Sequence, residues 1–177
     1  MVHAGGIDVK NWFIGVLVYL GAALNAYAQE SLWRLQTSDD RTVTATIAMD
    51  HPTSGATIMT LLNVGFSPRT KCQAEVGIAM LKGSSYGNPV GRMSPPRTEP
   101  VSLMVDQTSV ATPAPFLVKY DNGLEAVFPA DQRIIQALIA GITATVQIVS
   151  GTPKFEFPIA GAGAIIAKAQ RQCMSNQ

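Results

Sequence analysis

Thr42-Val43-Thr44-Ala45-Thr46-Ile47-Ala48-Met49 alternates with period two, setting Val43, Ala45, Ile47 and Met49 on one face and threonines mainly on the other. Successive side chains of a strand point to opposite faces, so this stretch predicts a half-buried antiparallel strand. The same cadence recurs on both sides of it. Trp33-Arg34-Leu35-Gln36-Thr37 alternates and then breaks at Ser38-Asp39-Asp40, a turn composition. Downstream, Asp50-His51-Pro52-Thr53-Ser54-Gly55 is dense in breakers and predicts a loop. Residues 56–66 read as a longer, more apolar strand, bent near Gly65, and residues 72–81 as another.

Residues 82–100 hold Gly83, Gly87, Asn88, Pro89, Gly91, Pro95, Pro96 and Pro100 with little apolar content, and so predict a long connection without regular structure. Strands resume at 101–106 and 116–120. Asp121-Asn122-Gly123 is a hairpin signal, because Asn-Gly accepts the positive φ of a tight turn, and 124–128 is the returning strand. Helical spacing then appears twice. Ile134, Ile135, Leu138 and Ile139 share one side of a segment opened by Asp131 and stopped by Gly141. Residues 162–172 form a small-residue helix ending at Cys173. Between the helices, 143–149 and 155–159 pair around Ser150-Gly151-Thr152-Pro153. Many short strands bounded by turns, without βαβ alternation, predict a mainly β chain: an antiparallel β-sandwich with two short helices in its C-terminal half.

The first 28 residues read as a secretory signal peptide. Lys10 supplies the charged n-region, residues 12–24 the apolar h-region, and Ala26-Tyr27-Ala28 an A-x-A cleavage site before Gln29. The apolar run falls short of the roughly 20 residues a membrane helix needs. Removing residues 1–28 from the 177 leaves 149, the size of one domain, here residues 29–177. The expected address is periplasmic or secreted. With Ala28-Gln29 at the junction no cysteine is placed for a lipoprotein anchor.

Thirteen Lys and Arg against twelve Asp and Glu give a net charge of +1, too small and too dispersed to attract nucleic acid or an anionic membrane. Cys72 and Cys173 are the only cysteines. In an oxidising compartment an even pair most simply forms one disulfide; two free thiols and a catalytic cysteine are the other possibilities. His51 is the single histidine after the leader, which excludes multi-histidine zinc sites and leaves one candidate base for any Ser-His or Cys-His pair. Its place before Pro52 points to a solvated loop side chain.

Gly161-Ala162-Gly163-Ala164-Ile165-Ile166 approaches a dinucleotide fingerprint. Eleven residues follow Ile166, however, too few for the next strand and the acidic ribose ligand, so the glycines are expected to cap and pack a helix. The carboxylates are scattered, apart from Asp39-Asp40 in a turn, and neither they nor Asp50 make a calcium motif. No cofactor and no metal site is expected. Trp33 is read as a core or sheet-edge aromatic ahead of an exposed recognition residue. Tyr86, Arg92 and Arg97 in the long connection are the candidate binding residues, since loops carry binding side chains disproportionately.

Val101-Ser102-Leu103-Met104-Val105-Asp106, Leu124-Glu125-Ala126-Val127-Phe128-Pro129-Ala130-Asp131, the Ile134–Gly141 helix, and a closing strand that runs into a Gly-Ala-rich helix ending in Cys173 share a cadence. Together with Trp33 soon after the leader, it resembles the invasion-associated locus B family of exported alphaproteobacterial proteins. The resemblance covers the C-terminal half. It implies a compact β-rich periplasmic or surface protein linked to host-cell interaction, with no known catalytic site. The expectation is therefore an exported binding protein whose partner is an envelope or host protein. A secreted hydrolase with an unrecognised site and an accessory subunit of an envelope assembly are the alternatives.

Overall fold

The computed structural model describes residues 32–52, 55–93 and 99–177. The expected signal peptide and its expected Ala28–Gln29 junction therefore lie outside the described residues, as does Arg97. Seven strands form one antiparallel sheet: β1 (Trp33–Thr37), β2 (Val43–Pro52), β3 (Thr57–Phe66), β4 (Ala74–Lys82), β5 (Pro89–Met93), β8 (Phe116–Tyr120) and β9 (Gly123–Pro129). Their order is β1-β2-β3-β4-β9-β8-β5. A second sheet, in the order β11-β10-β6-β7, contains β6 (Ser102–Val105), β7 (Thr108–Val110), β10 (Thr143–Gln147) and β11 (Phe155–Pro158). Helices α1 (Gln132–Ala140) and α2 (Ala162–Ser175) complete the chain, and the mainly β sandwich has both helices in its C-terminal half.

Period two governs what faces inward. Val43, Ala45 and Ile47 of β2 pair with Phe66, Val64 and Leu62 of β3, and Val64 and Leu62 in turn face Val76 and Ile78 of β4. All are buried and join Leu103, Val146, Phe155 and Phe157 of the second sheet in one cluster. Trp33 belongs to the same cluster at 4 % exposure, as a core aromatic. The α2 helix packs on β1, β2 and β3 through Ala162, Ile166, Ala169 and Cys173, whose 4-3-4 spacing keeps them on one side. Gly161 precedes that helix at φ +84°, a conformation that favours glycine. At α1 the Asp131 carboxylate accepts from the Ile134 amide at 3.0 Å, so the acid placed at the helix start is its N-cap. Cys72, in the turn before β4, and Cys173, near the end of α2, are joined in a disulfide with Cα atoms 5.9 Å apart.

Three local expectations are corrected. The strand β2 runs on through His51 to Pro52, so His51 is a strand residue and not a loop residue; its backbone registers opposite Ile58 despite the breakers that follow. The connection at 82–100 is not structureless, because β5 pairs with β8 inside it. All five β5 residues are exposed, so no apolar alternation marks the strand, and Pro89 is tolerated at its first position on a sheet edge. The Asn122-Gly123 hairpin exists, but neither residue takes positive φ. Gly123 is needed because a Cβ there would stand 2.2 Å from the Met80 carbonyl oxygen of the neighbouring strand.

Candidate functional site

The outward face of the seven-stranded sheet gathers the polar chemistry. Register lines its side chains into rows across the strands. Arg34, Thr46, Asn63, Gly77, Val127 and Phe116 form one row, and Ala48, Leu61, Ala79, Glu125, Val118 and Arg92 the next. In a third row Asp50, Met59, Leu81, Gly123 and Tyr120 follow one another. Midway across, Gly77 and Ala79 are small and leave a hollow between larger neighbours, with Glu125 Oε1 3.0 Å from where a Gly77 Cβ would stand.

Residues 83–88, the start of the connection from β4 to β5, cross the sheet there as a strap and bring Tyr86 over the hollow. The strap is clasped to the β8–β9 turn. The Gly87 amide donates to Asn122 Oδ1 at 2.8 Å and the Asn88 amide to Asp121 Oδ1 at 3.1 Å, while Asn122 Nδ2 donates to the Lys82 and Ser85 carbonyls at 2.9 and 2.8 Å. Asn and Asp side chains that bond nearby backbone stabilise such loops at the expense of strand pairing. Beneath the strap Met59, Leu61, Ala79 and Leu81 form a small cluster of their own, with Tyr120 against it.

Tyr86 donates its hydroxyl to Glu125 Oε1 at 3.2 Å, and Tyr120 donates to Glu125 Oε2 at 3.0 Å. Asn63 Nδ2 donates to the Tyr86 oxygen at 3.4 Å, and the two tyrosine rings meet edge to face at 5.1 Å. Among the described residues the one ion pair is Arg133–Asp131, so the half-buried Glu125 carboxylate has phenols but no cation beside it. Burial raises its pKa by disfavouring the charged form, against the pull of the two phenols. Burial, and then the Glu125 charge, push the Tyr120 phenol up to about 12, and Tyr86 rises further for the same reasons. Both phenols therefore stay protonated donors at neutral pH, and the trio fastens the strap to the sheet.

Tyr86 divides the face into two parts. On the β9–β8–β5 side Val127, Val118 and Phe116 are half-buried, and the Arg92 guanidinium carbon lies 4.5 Å from the Phe116 ring centroid. Val90 is 65 % exposed at the adjoining edge. On the β1–β3 side lies an open groove of ≈ 680 Å³, walled at one end by Tyr86, Ser84 and Ser85.

Of the residues expected to bind, Tyr86 and Arg92 both reach this face, on opposite sides of Glu125, while Arg97 lies outside the described residues. His51 is not the solvated side chain expected. Its ring packs on Phe155 of the opposite sheet with centroids 5.1 Å apart, and its Nε2 is 2.9 Å from the hydroxyl of Thr60, which is itself 1 % exposed. The Thr60 hydroxyl bonds the Met49 carbonyl at 3.4 Å, which leaves its oxygen to accept from His51. Among the described residues no group of three or more His, Cys, Asp and Glu side chains is placed to hold a metal ion, and no helix is long and apolar enough to cross a membrane.

Nothing in the sequence marks Glu125, Tyr120 or Asn63 as a group. Each occupies an ordinary outward strand position, and only cross-strand register unites them. Comparison with protein-family models, with curated proteins and with solved structures gives no match.

Proposed function

We propose that this is an exported, non-catalytic binding protein of a bacterial cell envelope, periplasmic or secreted after cleavage between Ala28 and Gln29, whose partner is an envelope or host protein. The cadence that resembles the invasion-associated locus B family and the order of the leader segments support the address. The Cys72–Cys173 disulfide is compatible with an oxidising compartment. The observation that carries the reading is the patch around Arg92. A guanidinium stacked on Phe116, with Val118, Val127 and the exposed Val90 about it and Tyr86 at its border, has the composition of an interface centre. Arginine and tyrosine dominate such centres because they contribute large contact area and hydrogen bonds together.

The test is capture from the native envelope with wild-type protein and with Arg92→Ala and Val90→Asp. The expected result is one protein retained by the wild type and lost with either variant, while both variants keep the wild-type melting temperature, since their side chains are exposed. Equal capture by all three forms would remove the patch from the interface.

A further inference from the structure

We infer that the groove over β1–β3 is a second binding site, for an uncharged polyhydroxylated ligand: a neutral oligosaccharide. It lies on the other side of Tyr86 from the Arg92 patch and does not depend on that proposal.

Its charge is balanced. Arg34 and Asp50 are the only ionic side chains on its walls. A ligand of either sign that spans the groove meets one like and one unlike charge, both exposed, so the lining favours neither sign. Thr46 and Asp50 lie four residues apart on β2 and Arg34 is opposite Thr46, so the two charges mark positions about 13 Å apart along the strand at about 3.3 Å per residue. A ligand touching both is therefore longer than a single ring.

The lining fits hydroxyl groups. Arg34, Gln36 and Asp50 present planar polar groups with paired donors or acceptors, and such groups engage adjacent hydroxyls two atoms at a time. Ala48 and Leu61 supply apolar floor between them, which suits the C–H faces of sugar rings, and Tyr86, 42 % exposed, supplies an aromatic wall. The ≈ 680 Å³ volume falls among small-ligand sites, which span about 300–1,000 Å³.

One atom in the lining is incomplete. Asn63 Oδ1 is buried and accepts no hydrogen bond. An unpaired buried acceptor costs roughly 1–3 kcal/mol, and its partner in a binding protein can come from the ligand. A sugar hydroxyl both donates and accepts, so it can satisfy Asn63 Oδ1 and still bond a second wall group. Tyr86, which lines the groove beside Asn63, is held through its hydroxyl at 3.4 Å to Asn63 and 3.2 Å to Glu125, both long for hydrogen bonds and so open to exchange with a ligand hydroxyl.

The experiment is a titration of the ¹⁵N-labelled protein, without residues 1–28, against a panel of neutral and acidic oligosaccharides that begins with triacetylchitotriose and maltotriose. The signals followed are the Thr44 and Thr46 backbone amides and the Asn63 side-chain amide. The expected result is a saturable shift of these signals with at least one neutral member, weakened roughly tenfold or more in Ala48→Arg, which fills the groove floor from an exposed position. Lys168→Ala, on the exposed side of α2, should bind like wild type. Melting temperatures equal to wild type would show that both variants fold. The inference is overturned if no neutral member gives a saturable shift, if acidic members bind more tightly than neutral ones, or if Ala48→Arg binds unchanged. None of these outcomes alters capture through Arg92.

Discussion

Leu61 and Leu62 are neighbours in β3, yet they belong to different structures. Leu62 points into the core shared by both sheets and the helices and is fully buried. Leu61 points the other way, into a cluster of four residues covered by a single strap. The inward face is closed by a second sheet, α2 and a disulfide. The outward face is closed only where Tyr86 and its clasp reach, and on either side of the strap it stays open. The same alternation thus builds a covered face and a partly open one, and what differs is how many independent elements cover each.

The disulfide is the strongest test of that difference. Cys72→Ser with Cys173→Ser opens a loop of sequence separation 101, for which the chain-entropy relation gives about 4–5 kcal/mol as an upper value, because native strain lowers it. Denaturant unfolding of the oxidised wild type and the double variant measures it, and a loss below about 1 kcal/mol would mean that α2 holds the inward face without the bond.

The paired leucines come next. Leu62→Ala should cost about 2–5 kcal/mol, the range for a large-to-small change in a core that cannot collapse. Leu61→Ala should cost less, since the strap above it can settle into the space. Equal losses would break the contrast between the faces.

A smaller effect is expected at His51. Its packing on Phe155 and its bond to the buried Thr60 put it on the inward face, so His51→Ala should lower stability by about 1 kcal/mol, the typical net value of a hydrogen bond, where a solvated loop position would give about nothing.

The mildest probe is spectroscopic and reads the outward face. Of four tyrosines in the chain only Tyr86 and Tyr120 lie beyond residue 28, so phenolate absorbance of protein made without residues 1–28 reports this cluster alone. Both phenols hold their protons more tightly folded than unfolded. Their contribution to stability is complete below a pH of about 10, and it is lost as pH rises through the folded values, about 12 for Tyr120. No phenolate signal should therefore appear near pH 10 in the folded protein. Glu125→Gln removes the charge that helps to raise both groups and should bring the signal to lower pH. An ordinary titration near 10 in the wild type would show that the strap does not hold Tyr86 on the sheet.

Much of the fold was legible along the chain. Residues 42–49 were readable as a strand because burial of one face writes alternation into sequence, and 56–66 and 72–81 because strands covered on both faces midway carry apolar runs between breakers. Asp131 and Gly141 marked α1 because helix ends leave backbone groups that need particular partners. The strand β5 was not legible, since an exposed edge strand is defined by backbone bonds to β8 that no side-chain pattern records. Nor was the end of β2, because the breakers from Pro52 onward mask the pairing of His51 with Ile58 of β3.

The candidate site divides in the same way. Tyr86 and Arg92 stood out by lying in a segment poor in apolar residues, but their separation by Glu125 and their different neighbours did not. By itself the sequence determined the mainly β class, the two C-terminal helices and the core face of the central strands, because those depend on periodicities within single segments. Only the tertiary structure decided that Asn63, Glu125, Tyr86 and Tyr120 meet, that Cys72 lies beside Cys173, and that a groove opens over β1–β3. These depend on register between strands and on a strap clasped to a distant turn, and a contact between segments dozens of residues apart leaves no period in either one.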